Sequence, residues 1–197
     1  MNYLSIDIEA TGLRENDIII EFGMVPVSTE QNKVCQELSY HSYIKCPSFL
    51  ELKPRLDNWV IDNNKDLIDK AHQNGQTIES FKTDLIKYFE KQEVQKFFNF
   101  PNEKIILLGK SLNAIDLPFL NRDLGWNFMR KYFSHQVLDV SSIVMSQIDK
   151  GTLPIDCMSG SKLSSYLKLG DVEHTALEDA IKMAQIYLNL LDFSRHS

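Results

Sequence analysis

Asp7 and Glu9 stand two residues apart in the run Leu4-Ser5-Ile6-Asp7-Ile8-Glu9, where apolar and polar residues alternate. Such alternation predicts a strand, and residues two apart on a strand leave the same face. Two neighbouring carboxylates repel each other and are costly to desolvate unless a cation neutralises them. Hard divalent cations such as Mg²⁺ take oxygen ligands, so the pair is a candidate metal site. Taken alone, D-x-E on a strand reads better as two solvated acids on an open sheet face.

The run Glu173-His174-Thr175-Ala176-Leu177-Glu178-Asp179 says more. Thr175-x-x-Glu178 is a capping box, so a long helix is predicted to begin there. His174 then lies just outside the helix and Asp179 in its first turn, at the positive end of the helix dipole, which favours an ionised carboxylate. The plain alternative is a surface histidine and a helix-starting acid. Asp116 follows an apolar run and opens a helix at Leu117-Pro118. Asp is a preferred N-cap, and capping is compatible with metal binding only if the carboxylate is not committed to the backbone.

The elements that must carry these residues follow from hydrophobic periodicity. Residues 3–9, Ile18 to Val27 and Leu38 to Ile44 read as three strands in an antiparallel meander, the second apolar enough to be buried on both faces. Helical spacing is predicted from Asn63 to His72 and from Ile78 to Phe89, a loop from Gln92 to Glu103, and a strand from Lys104 to Leu108. A short helix is expected over Leu117–Leu124, with Pro118 tolerated in its first turn. Val137 to Val140 reads as a brief strand entering a helix to Ile148. A helix over Lys162–Leu169 and a long one over Thr175–Leu191 complete the chain, and Trp126 is expected in the core. Strands first, then alternating helices and strands, point to one mixed sheet with helices on both faces, an α/β fold.

Asp7-x-Glu9-x-Thr11-Gly12, then Asp116 in Asp-Leu-Pro-Phe-Leu, then His174 with Asp179 five later, resembles the DEDDh 3′→5′ exonucleases. That family includes oligoribonucleases and polymerase proofreading subunits, and its fold is RNase H-like. The resemblance spans Asp7 to Asp179. Thr175 stands where the tyrosine branch of the family would carry Tyr. Leu56-Asp57-Asn58-Trp59-Val60, Val137-Leu138-Asp139-Val140-Ser141 and His174 to Ala180 look most like oligoribonucleases. The pattern departs at Leu112, where the family often has Asn or Ser, although Ser111 and Asn113 flank it, and at Ile115, where it often has an aromatic.

The resemblance implies two divalent cations, Mg²⁺ or Mn²⁺, with Asp7 bridging them. Glu9 and Asp179 would complete the site of the attacking water, and Asp116 would support the second ion. Two ions about 3.5–4 Å apart stabilise the attacking and leaving oxygens of an in-line displacement. His174 would take the proton from the water, since histidine titrates near neutrality. The product would be a 5′-mononucleotide released from a 3′ end. Ala10, Thr11, Gly12 and Leu13 would cradle the terminal nucleotide, with Gly12 letting the backbone approach. Leu13, Trp59 and Phe119 are candidates to stack on or wedge the last bases, and Asn113 is a candidate polar contact. Core packing is the plain alternative for Trp59 and Phe119, stronger for Phe119.

With 197 residues, 43% hydrophobic and 24% charged, the chain suits a single domain over 1–197. The net charge of −6 is unlike a protein that grips long nucleic acid by many phosphates. Two divalent cations would offset four of those six charges, and short or end-bound single strands are the expected substrate. Cys35, Cys46 and Cys157 form no CxxC pair, so reduced, packed thiols and a cytoplasmic location are expected. No signal peptide or membrane span is predicted.

Three rival classes remain. A catalytically silent binding or adaptor domain on the same fold would not need all five chemical positions. A non-nuclease metal phosphoesterase would hydrolyse simple esters without digesting nucleic acid. A structural protein with scattered acids would not bind Mn²⁺. The sequence does not separate RNA from DNA, nor set substrate length, and it leaves a homodimer or a polymerase partner open.

Overall fold

The computed structural model describes residues 1–170 and 175–195. At its centre is a six-stranded sheet of β1 (Asn2–Ala10), β2 (Ile19–Ser28), β3 (Lys33–Val34), β4 (Tyr40–Tyr43), β5 (Ile105–Gly109) and β6 (Phe133–Asp139). The order is β3-β2-β1-β5-β6, with β4 also paired to β2. The pairs β1–β2, β2–β3 and β2–β4 are antiparallel, while β1–β5 and β5–β6 are parallel. This is the mixed sheet that the sequence pattern implies.

The helices are α1 (Phe49–Leu52), α2 (Asn58–Asn63), α3 (Lys65–Asn74), α4 (Ile78–Glu90), α5 (Gln92–Phe98), α6 (Asp116–Leu124), α7 (Trp126–Tyr132), α8 (Val140–Asp149), α9 (Gly160–Tyr166) and α10 (Ala176–Arg195). Alternate residues of β1 enter opposite cores, as the two-residue period of a strand requires. Leu4, Ile6 and Ile8 pack with Phe81, Leu85 and Phe119 from α4 and α6. Tyr3 on the other face packs with Val144, Ala180 and Tyr187 from α8 and α10. Every residue of β2 is buried, as its mostly apolar run predicts, and α1, α2 and α3 close on Ile20 through Phe49, Val60 and Ile68. Among the described residues no helix is long and apolar enough to cross a membrane. The three cysteines are free and buried.

Several expectations need correcting. The stretch from Gln92 to Glu103 is not all loop: α5 occupies its first half because Val94 and Phe98, one turn apart, both reach the core. Asn99 then ends that helix in the left-handed conformation. Trp126 is not a core residue. It is 60% exposed at the start of α7, whose buried side is Phe128, Met129 and Tyr132. The third predicted strand is shorter, since Gln36–Leu38 forms a 3₁₀ turn.

Candidate active site

Asp7 and Glu9 leave β1 on the side that faces α10. Ser5, on the same side, donates its hydroxyl to the Ala180 carbonyl at 2.7 Å, which fixes α10 above this face. The helix start is secured three ways. Glu178 N–H donates to Thr175 Oγ1 at 3.4 Å, Asp179 N–H to the Thr175 carbonyl at 2.9 Å, and Ala176 N–H to Glu21 Oε2 at 3.1 Å. The first of these is half of the expected capping box. Gly23 lies opposite Asp7 in the β1–β2 register. A Cβ at Gly23 would lie 2.3 Å from Leu177 N and 2.4 Å from the Ala176 carbonyl carbon, so the first turn of α10 rests directly on the β2 backbone. Asp179 thereby reaches the β1 acids. One ligand oxygen from each of Asp7, Glu9 and Asp179 lies within 4.8 Å of the others.

Asp116 opens α6 and is buried. Its carboxylate is not a side-chain N-cap; Oδ1 accepts the Ile8 N–H at 3.1 Å, between Asp7 and Glu9 of β1. Burial pushes the Asp116 carboxyl up to about 7, against the opposing pull of backbone hydrogen bonds. Burial, followed by the charges of Asp179, Glu21 and Asp116, pushes Glu9 to about 7. Asp7 is held well above the carboxylate range, first by burial and then by the charges of Asp116, Glu9, Asp179 and Glu21.

The two β1 acids are therefore held at an electrostatic cost. Among the described residues no Lys, Arg or His forms an ion pair with Asp7 or Glu9. Among the described residues, three converging carboxylates with no Lys, Arg or His paired to the β1 acids offer oxygen donors of the kind a hard divalent cation takes. Glu21, not singled out in the sequence, is wholly buried beside them. Its Oε1 lies 2.5 Å from His41 Nε2 while Oε2 holds the start of α10, so it positions the helix that carries Asp179. His174, the expected proton acceptor, falls outside the described residues.

Residues 4–187 match the family model RNase_T, Exonuclease. The chain belongs to this exonuclease family. Its fold is shared by solved structures of low identity. The nuclease domain of 3′hExo, a DEDDh family member bound to rAMP, has a TM-score of 0.67 at 16% identity, covering 97% of this chain and 92% of that one. The RNase domain of yeast Pop2 has 0.70 at 14%, covering 99% and 78%. E. coli Exonuclease I in complex with a 5cy-dT13 oligonucleotide has 0.67 at 14%, covering 99% of this chain and 41% of that one. Cell-death related nuclease 4 has 0.70 at 16%, and the chain spans only 64% of its length. No curated protein matches the sequence.

In this family member the predicted cradle divides into two kinds of residue. Thr11 is buried and committed: its hydroxyl donates to Asp17 Oδ1 at 3.0 Å and accepts the Ile18 N–H at 3.1 Å, and its own N–H bonds the Ile18 carbonyl. Thr11 thus shapes the loop, with its hydroxyl and its N–H both engaged within the protein. Gly12, at φ 154°, is required for a similar reason, because a Cβ there would sit 2.4 Å from Asp17 Oδ2. Ala10 is half-buried against the core, while Leu13 is 73% exposed at the loop tip. Arg14 ties that tip to the Arg55 carbonyl and the Asp57 carboxylate, two residues from Trp59. Trp59 is 61% exposed on α2, and Asn113 is exposed in the loop before α6. The Phe119 ring packs in the core under the Arg122 guanidinium, the plain alternative weighed for it. Leu112, the departure from the family pattern, is fully buried against Gly109. Ser111 beside it takes a positive φ and turns to Asp139 and Ser141.

Proposed function

We propose that this exonuclease removes 5′-mononucleotides from the 3′ end of single-stranded or short RNA or DNA, using two divalent cations, Mg²⁺ or Mn²⁺. The observation that carries the reading is the group Asp7, Glu9 and Asp179, three carboxylates from two elements with ligand oxygens within 4.8 Å. Asp7, Glu9 and Asp179 would hold the cations, with Asp116, bonded to the Ile8 N–H, supporting the second of them. The cations would supply charge stabilisation to the oxygens of an in-line displacement. Asp116 stiffens β1 through Ile8 and keeps the two metal-facing acids in register. Glu21 and Gly23 hold α10 against the sheet so that Asp179 stays in reach. His174, adjacent in the chain to Thr175, accepts the proton of the attacking water. Leu13 and Trp59, on segments joined by Arg14, bracket the terminal bases.

The test uses 5′-labelled RNA and DNA of several lengths with Mn²⁺, Mg²⁺ or EDTA. The expected result is a ladder shortening from the 3′ end, abolished by EDTA and blocked by a 3′-phosphate. Full activity in excess chelator overturns the metal reading, and equal rates on blocked and free 3′ ends overturn the polarity. Binding without digestion in Mn²⁺ would instead mark a silent binding domain.

A further inference from the structure

A cavity of about 570 Å³ opens between α6, α7 and the edge strand β6. Its volume falls in the range of pockets that hold small molecules, roughly 300–1,000 Å³. Leu117, Met129 and Phe133 give it an apolar floor. Around that floor stand Lys104, Arg130 and His135, and no Asp or Glu lines it. In a chain of net charge −6 that is a local reversal of sign. Among the described residues neither Arg130 nor His135 forms an ion pair with a carboxylate.

Trp126 is the least expected part of this lining. It is a large apolar side chain left 60% exposed, and the Arg130 guanidinium lies 5.3 Å from its ring centroid. An exposed indole with a guanidinium on one face is a platform on which a nucleobase stacks. The Asn121 carboxamide in the same lining can bond the edge of a base, and Lys104 or Arg130 can meet a phosphate. Asn113 and Leu117, which also line the cavity, flank Asp116 in the chain. One end of the cavity is therefore built from the segment that carries an active-site acid.

We propose that this cavity binds a nucleotide of the single strand upstream of the 3′ end being cut. The proposal rests on the exonuclease reading given above. A peptide added to the free edge of β6 is the competing occupant. Strand pairing, however, would use the β6 backbone and would need neither an exposed tryptophan nor an acid-free ring of cations.

The test compares the full chain with its Trp126→Ala and Arg130→Gln variants. Both side chains are exposed, so matching thermal melts should show the fold intact. Fluorescein-labelled dT12 and U12 are titrated in EDTA and read by anisotropy, and hydrolysis of a dinucleotide and a 12-mer is followed in Mn²⁺. Trp126→Ala should weaken 12-mer binding at least fivefold, the size of one lost base stack. It should raise the 12-mer KM similarly while leaving dinucleotide turnover within twofold, because on this proposal the cavity holds a nucleotide upstream of the two that flank the cut bond. Unchanged 12-mer affinity in both variants overturns the proposal, as does an equal loss on both lengths. If the wild-type chain cuts nothing, the exonuclease reading falls on its own. The anisotropy arm still decides the site: a fivefold loss retains it, and no loss removes it.

Discussion

Asp7 sits where four other carboxylates raise its cost of ionisation, and in the proposed function that placement serves cation binding. Removing the charge while keeping the shape should therefore divide function from stability. Asp7→Asn should abolish nuclease activity and Mn²⁺ binding, yet stabilise the metal-free protein by about 0.5–2 kcal/mol, the usual gain when an active-site compromise is relieved. Denaturant melts in EDTA give the answer, and a destabilised Asp7→Asn would show that the carboxylate is held by structure. His174 belongs to another class of residue. As a proton acceptor it should contribute about 10²–10⁴-fold to turnover. His174→Ala should lose that much kcat with Mn²⁺ affinity intact, whereas Asp179→Ala should lose both. Calorimetric Mn²⁺ binding beside single-turnover rates separates the two, and an equal loss of metal would make His174 a ligand.

The seat of α10 depends on two residues of β2 that carry no chemistry. Gly23→Ala would place a methyl 2.3 Å from Leu177 N. Neither backbone can yield cheaply, so the variant should lose roughly 1–3 kcal/mol, as overpacking does. Its Mn²⁺ affinity should fall as well, because Asp179 moves away from β1. Glu21→Gln, which keeps an acceptor for the Ala176 N–H, should retain more affinity than Glu21→Ala. Wild-type affinity in Gly23→Ala would mean that the helix seat does not set the site. Both residues had a trace in the sequence. A lone acid and an isolated glycine inside an otherwise apolar strand, Ile-Ile-Glu-Phe-Gly-Met-Val, signal a paired carboxylate and a close backbone approach. The central strands β1, β2 and β5, the long final helix and the convergence of Asp7, Glu9 and Asp179 were legible because periodicity and motif order report them directly. The commitment of Thr11 to Asp17 was not legible, since a hydroxyl beside a glycine reads equally well as ligand or as scaffold. Neither was Trp126, because its exposure depends on how α7 turns Phe128, Met129 and Tyr132 inward.

At the scale of the whole molecule, raised carboxyl groups in the site couple its stability to pH. Glu9 and Asp116 rise from ordinary values of 4.5 and 3.8 to about 7 in the folded protein, and Asp7 rises in the same direction. Between those limits the folded chain binds more protons than the unfolded one, so stability falls as pH increases. The contribution of these groups is fully present below about 4 and is lost as pH passes through about 7. A divalent cation changes this balance, because it binds the ionised carboxylates and displaces their protons, so its affinity climbs with pH. The expected outcome is a melting temperature in EDTA that declines from pH 5 to 8, and a rise on adding Mn²⁺ that is small at pH 5 and largest at pH 8. General repulsion in a chain of net charge −6 also grows with pH, and it would lower both curves together. The variant Glu9→Gln separates these effects. It should flatten the EDTA curve and shrink the Mn²⁺ increment, while leaving the rest of the surface charge untouched. Curves in EDTA and Mn²⁺ that run parallel across this range, in both proteins, would mean that the clustered acids are not poised for a cation.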